Sequence, residues 1–393
     1  MAGQHTIVIL GGSFGGISVA HYLLRHTIPA LTTLSSPPTY KVIMVSTSTS
    51  LYWNICAPRA LVSAALIPVQ KPFIPVAEAF SNYPAGSFEF LHAEAVDLDV
   101  DSRIVSLKPL GSSPDAPETL SYDTLIIATG ASSTTPLWSA SAGHEKTIAA
   151  IESMHAALPT ASKILVAGAG PVGVETTGEL AAEFGTSKSI TLVSASPRLL
   201  GRARPALGQG AERMLKGMGV TILYDVRMTK SEPTSTGQTL VHLSNDTTTT
   251  VDVLIDATGL KPNTGFVPAR LLDDRGAIIT NAQTLRVTGA RQRVYALGPV
   301  SSYCNGAVLD VWDAMSALMA NVAFDLSGGN LGKEKSYARR AETLIVPVGR
   351  SKGVGVAYGW PLPSLAVWVA KGRSYMLETL KGERDGQKFV RPV

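Results

Sequence analysis

Two glycine-rich clusters carry the chain's most specific chemistry. Gly11-Gly12-Ser13-Phe14-Gly15-Gly16 and Gly168-Ala169-Gly170-Pro171-Val172-Gly173 each follow a short apolar run and open a segment with helical spacing. In that grammar the first glycine makes a tight turn, the second lets backbone approach a pyrophosphate, and the third packs the helix closely on the strand. The helix N-terminus then faces the phosphates. The second cluster has all three glycines and is followed by Glu175, whereas the first has Ser13 at the second position. A single cluster could be a structural turn, but two with the same flanks point to a repeated dinucleotide cradle. Thiol chemistry is restricted: Cys56 and Cys304 are the only cysteines, so there is no CxxC pair, disulfide framework or zinc spacing, and no metal site is expected. Dithiol exchange is thereby excluded, and single-thiol chemistry at Cys56 competes with plain core packing.

The elements that must position these clusters are legible as strand, turn and helix. Thr6 to Leu10 and Lys163 to Ala167 lead into them; Ile17 to Leu24 and Val174 to about Phe184 follow as helices. Tyr40 to Val45 and Ser189 to Val193 supply a parallel neighbour strand at βαβ distance. Two more strands share an Ala-Thr-Gly ending, at Ala128 to Gly130 and Ala257 to Gly259. Ser87 to Leu107 and Thr229 to Thr250 alternate as antiparallel excursions, Gly111 to Thr119 reads as a loop, and Val308 to Leu326 is an amphipathic helix. The expected class is α/β with two doubly wound, Rossmann-like dinucleotide-binding domains, the second inserted in the first, plus a small C-terminal α+β region. The divisions expected are 1–135 with 260–328, then 136–259, then 329–393.

Composition narrows the rest. At 393 residues the chain is long enough for two or three domains at ~150 residues each. Charged residues make up 16% and apolar residues 45%, the opposite of a disordered chain. The net charge of +4 has no dense basic block, so nucleic acid is not expected as a partner. Met1 to His5 leaves no room for a leader peptide, Ala2 does not fit a myristoylation signal, and no apolar run approaches the ~18 residues of a spanning helix. With two cysteines, a reducing, cytoplasmic setting fits best.

The order GGSFGG, Asn54-Ile55-Cys56-Ala57-Pro58-Arg59-Ala60, Ala-Thr-Gly, GAGPVGVE, Ala-Thr-Gly, then Val294-Tyr295-Ala296-Leu297-Gly298 resembles the two-dinucleotide flavoprotein reductases of the pyridine nucleotide-disulfide oxidoreductase superfamily. Within these it looks most like the apoptosis-inducing-factor-like branch that includes ferroptosis-suppressor-type quinone reductases. The likeness covers nearly the whole chain, including the tail from Gly349-Arg350 to Lys371-Gly372-Arg373. It implies FAD in the first fold, NADH or NADPH in the second, and electron transfer to a quinone or quinone-like small molecule. It further assigns Gly11, Gly12, Ser13, Phe14, Gly15 and Gly16 to the FAD pyrophosphate, Arg59 to a flavin-side contact and the Val96 backbone to the adenine. Gly168, Gly170 and Gly173 would hold the nicotinamide cofactor, with Glu175 near nicotinamide and flavin and Lys371 at the flavin edge, where positive charge favours the reduced ring. Glu175 also fits a helix-dipole cap, and Arg59 a surface pair.

Three positions depart from the pattern. Ser46 stands where the family uses an acid for the FAD ribose, Gly298-Pro299 where it uses Gly-Asp on the ribityl chain, and Ser13 replaces a glycine. The alternative is therefore a degenerate flavoprotein fold with weak or no FAD, acting as a non-redox catalyst on a specialised metabolite or as a binding module. On the nicotinamide side Ser194 replaces the acid that would repel a 2′-phosphate, and Arg198, Arg202 and Arg204 follow it, which favours NADPH over NADH. The same arginines also fit a solvated helix start. In the tail, Leu362, Leu365, Val367, Trp368 and Val369 lie between Pro361 and Arg373. The 361–373 stretch is open to three roles: a peripheral lipid-surface contact, a cover on the flavin domain, or a homodimer seam.

Overall fold

A computed structural model describes residues 3–111 and 117–392, so part of the Gly111–Thr119 loop lies outside the described residues. The chain is mixed α/β and built on two parallel sheets. In the first, the strand order is Val294–Ala296, Thr124–Ile127, Gln4–Leu10, Thr39–Ser46, Phe88–Asp99, Ile104–Pro109 and Thr119–Ser121. The first five run parallel and the last two return antiparallel. The central strand has no exposed face: Ile7 and Ile9 join the core under the Phe14–Tyr22 and Val308–Leu326 helices, while Val8 and Leu10 join the core on the other side with Phe266 and Ile278. Burial on both faces explains why these strands read as continuous apolar runs.

The second sheet orders Thr221–Leu223, Ser189–Val193, Lys163–Ala167 and Val253–Asp256, all parallel. It repeats the two-sided arrangement. Ile164 and Val166 pack under the Pro171–Phe184 helix, and Leu165 and Ala167 face the antiparallel excursion Met228–Pro233, Thr239–Leu243 and Thr248–Val251. The chain leaves the first sheet through Ala131–Ser132 and returns through Lys261–Pro262, two short segments that pair antiparallel.

The tail joins both folds. Its antiparallel strands Leu344–Val348, Lys352–Ala357 and Trp360–Leu362 bring Val346, Val348, Val354 and Val356 into the second fold's core. A Cβ at Gly178 would lie 2.6 Å from the Gly349 nitrogen, so only glycine lets the helix and the tail approach this closely. Further on, Tyr375, Leu380 and Phe389 join the first fold's core. Two local expectations need correction: the stretch expected as an antiparallel excursion from Ser87 first pairs parallel with Thr39–Ser46 over Phe88 to His92 and turns antiparallel only beyond it, and the first helical run does not stop at Leu24. It continues through a wide π turn at Leu23–Thr27 into Ile28–Leu31, and Pro29, which has no N–H to give, sits in the first turn of that last segment.

Candidate functional site

Both glycine clusters form the same local structure. Gly11 (φ +116°) and Gly168 (φ +105°) turn the chain out of its strand, in a region that side-chain-bearing residues avoid. A Cβ at Gly11 would fall 2.2 Å from the Ala128 carbonyl oxygen, and one at Gly168 2.6 Å from that of Ala257. The repeated Ala-Thr-Gly ending is thus the neighbouring strand's half of the same contact. At the third position, a Cβ on Gly16 or Gly173 would lie 1.8 Å from the carbonyl oxygen of Gly11 or Gly168. The second position is different: Gly170 has no protein atom within 4 Å of where its Cβ would be, and Ser13 is exposed with no side-chain capping bond. Neither helix has an acid in its first turn. Two open, electropositive helix ends result, and each fits a pyrophosphate. Around the first, Gly12 backs onto Ser46, Gly15 onto Leu297, and Phe14 packs at 5.3 Å against Trp53.

The strand ends beside the two cradles are also alike. Ser46 donates to the Ser48 carbonyl at 2.9 Å and accepts from the Ser48 N–H; Ser194 donates to the Ser196 carbonyl at 2.8 Å and accepts from the Ser196 N–H. Each hydroxyl closes its own turn, so the structure commits Ser46 to its loop instead of presenting it to a ribose. Arg198 donates to Gly201 in its own loop, and Arg204 is held by Glu342 and Gly359 of the tail. Arg202 is exposed, and its guanidinium has no partner among the described residues. At Gly298 the N–H donates to the Tyr303 hydroxyl and the carbonyl accepts from Ser301, after which Pro299 offers neither donor nor carboxylate. Val96 is not brought to this mouth. Parallel pairing ends at Ser46 opposite His92, and Val96 is four residues further along, 47% exposed, in a bulge between Ala95 and Asp97.

Between the folds lies a buried ionic cluster. Glu175, on the helix that opens the second cradle, meets Lys371 of the tail at 2.5 Å. Its carboxyl is 2% exposed and pushed up to about 7 by burial, with Lys371 opposing the shift. One helical turn on, Glu179 is fully buried and takes Arg59 through both oxygens, at 3.0 and 2.8 Å, together with Arg350. Arg59 also donates to the Arg373 carbonyl and lies 4.7 Å over the Tyr375 ring, whose hydroxyl donates to Glu179 at 3.2 Å. Arg59 is therefore committed to this pair, neither on the surface nor turned to a cofactor. Glu179 and Tyr375 escaped the sequence reading, and Arg350 entered it only as part of the tail's resemblance; the available signal was Glu175, Glu179 and Glu183 repeating at i, i+4 and i+8 along one helix. Cys56 is fully buried and donates to the Trp53 carbonyl, and burial pushes its thiol to about 12, which favours core packing over single-thiol chemistry.

The family model for pyridine nucleotide-disulphide oxidoreductases matches residues 5–318. The chain belongs to this family. It is similar to oxidoreductase phnG of Penicillium herquei, at 36% identity over 99% of this chain and 98% of that one. It also resembles human ferroptosis suppressor protein 1, at 25% identity over 96% of this chain and 95% of the relative. Among solved structures, the sulfide:quinone oxidoreductase of Aquifex aeolicus shares the fold with a TM-score of 0.73 at 15% identity, over 98% of this chain and 93% of that one. The apoptosis-inducing-factor-like resemblance and the Rossmann-like α/β class are thereby established. The protein is an oxidoreductase of a family whose cofactors are FAD and NAD(P)H.

Proposed function

We propose that this oxidoreductase takes electrons from NADPH through FAD and passes them to a small, quinone-like acceptor. Two matching pyrophosphate cradles with a buried Glu175–Lys371 pair at the seam between them carry the reading. In it, Gly11 to Gly16 hold the FAD pyrophosphate at the Phe14–Tyr22 helix, and residues 136–259 form the unit that binds NADPH through Gly168, Gly170 and Gly173. Ser194 presents no charge that would repel a 2′-phosphate, and Arg202, with Arg198 beside it, offers the counter-charge. FAD, when bound, supplies the hydride acceptor and the electron donor of the overall reaction. This chain's own groups place the proton: Glu175 titrates near neutrality, and Lys371 holds a positive charge beside it.

The acceptor is the least constrained element. Leu365 and Val369 lie exposed one helical turn apart, just before Lys371, and Trp360 is 77% exposed, which supports contact with a lipid surface where apolar quinones dissolve. Val367, by contrast, is fully buried against Gly353 and Gly355. No described helix is long and apolar enough to cross a membrane. A homodimer seam on the same face is the competing use. The buried thiols of Cys56 and Cys304 support a reducing, cytoplasmic setting. The test is NADPH consumption by FAD-loaded protein with a short-chain ubiquinone, with and without vesicles; no acceptor-dependent consumption would refute the reading. The turn-bound Ser46 hydroxyl and Pro299 favour a second reading, a family member with weak or no FAD and a non-redox role. Tight binding in a flavin fluorescence titration would exclude it.

A further inference from the structure

Glu179 has no role in the reading above, yet it is the most heavily partnered carboxylate in the cluster. Arginines from opposite ends of the chain meet on it: Arg59 from the Ala57–Ala60 helix, and Arg350 from the turn after the tail's first strand. Arg350 reaches on to Glu183, another turn along the helix. Tyr375 and Met376 both have positive φ, +52° and +58°, a costly conformation for residues with side chains. Three contacts hold that turn in place: Trp53 donates to the Tyr375 carbonyl, Arg59 donates to the Arg373 carbonyl, and Glu179 accepts from the Tyr375 hydroxyl. Lys371 is attached to the same turn, because its carbonyl accepts from the Tyr375 N–H and its ammonium lies 5.6 Å from the Tyr375 ring centre on the way to Glu175. The charged groups facing Glu175 are Lys371 from the tail, Arg59 from the first fold and Glu179 from its own helix, with Arg350 and Glu183 behind Glu179. Counted with every group ionised, these three carboxylates and three cations are neutral together, so deleting one charge leaves the remainder unbalanced in a low-dielectric site.

We propose that Glu179 is a positioning residue for the Glu175–Lys371 pair: clamped by Arg59 and Arg350, it anchors the Tyr375 turn that aims Lys371, and its charge sets the balance in which Glu175 exchanges its proton. The proposal rests on that pair serving the reductase. It is tested on the full chain with FAD supplied, by a readout independent of turnover. The C=O stretch of protonated Glu175, assigned by its loss in Glu175→Gln, is followed across pH by infrared difference spectroscopy. Glu179→Gln removes a negative charge one helical turn away, and the midpoint is expected to move toward acid by about one pH unit or more. The pH midpoint of kcat should move with it, while KM for the nicotinamide cofactor stays unchanged. Glu179→Asp keeps the charge and should restore the midpoint. If Glu179→Gln does not fold, Arg350→Gln at the partly exposed end of the cluster reads the same coupling with opposite sign, because an uncompensated Glu179 drives the midpoint toward alkaline pH. An unmoved midpoint in a folded variant overturns the proposal. Turnover indifferent to Glu175→Gln overturns instead the role of the pair on which it rests.

Discussion

Gly170→Ala separates a ligand-binding cradle from a structural turn. Gly170 sits at φ −73°, ψ −175°, backbone that alanine adopts without strain, and a Cβ there meets nothing within 4 Å. The variant should therefore melt within about 0.5 kcal/mol of the parent, the range of an ordinary surface change. In the complex, that methyl group points where the second glycine of the motif admits a pyrophosphate, and overpacking of this kind costs roughly 1–3 kcal/mol. The expected result is a roughly 5- to 150-fold weaker Kd for NADPH, read by fluorescence titration, with FAD content unchanged because the proposal gives FAD the other cradle. Gly173→Ala is the contrasting control: its Cβ would lie 1.8 Å from the Gly168 carbonyl oxygen, so it should lose stability as well as binding. A stable Gly170→Ala protein with parental affinity for NADPH would show that the second cluster is only a turn.

Four further outcomes follow from the same structure. Glu175→Gln should lower kcat by about 10²-fold near neutral pH with NADPH affinity retained, the usual scale for a lost proton-transfer group. Because the folded Glu175 carboxyl is raised to about 7 from the ordinary 4.5, its stabilising contribution is complete below the unfolded value and lost as pH rises through 7. Glu175→Gln should therefore compare more favourably with the parent in alkaline than in mildly acidic thermal melts. His21 is the opposite case: burial holds its imidazole down to about 4 from 6.5, between the Tyr83 hydroxyl and the Arg384 carbonyl. Its stabilising contribution is complete above 6.5 and lost as pH falls toward 4, a slope in melting temperature that a His21→Gln variant should lack. Arg202→Ala should weaken NADPH by roughly tenfold or more and leave NADH unchanged, measured as the ratio of the two kcat/KM values.

What the sequence revealed was the local part of the design. The glycine clusters, the Ala-Thr-Gly endings and the doubly wound strands are written in runs of a few residues, and the structure brings each pair of repeats into the same contact. Ser46 and Ser194 were visible as missing acids, but their shared hydroxyl-closed turns depend on backbone geometry. The ionic seam was only half legible. Glu175 and Lys371 came from resemblance to a family, whereas Glu179, Arg350 and Tyr375 are joined by a tail that returns from the far end of the chain. Arg59 likewise came from the resemblance, as a flavin-side contact; nothing local shows that two arginines from distant segments share one buried carboxylate. Val96 was also taken from the resemblance, and position in a motif does not reveal that parallel pairing ends at His92 and that a bulge follows between Ala95 and Asp97.

The central claim is that one cradle holds FAD and the other delivers electrons to it from NADPH. Its most direct test is the visible spectrum of the FAD-supplied protein during an anaerobic NADPH titration. The account predicts a protein-bound flavin spectrum that bleaches as NADPH is added, returns when a quinone is admitted, and bleaches far less readily in Gly170→Ala. Protein that retains no flavin, or a bound flavin that NADPH does not bleach, would contradict it.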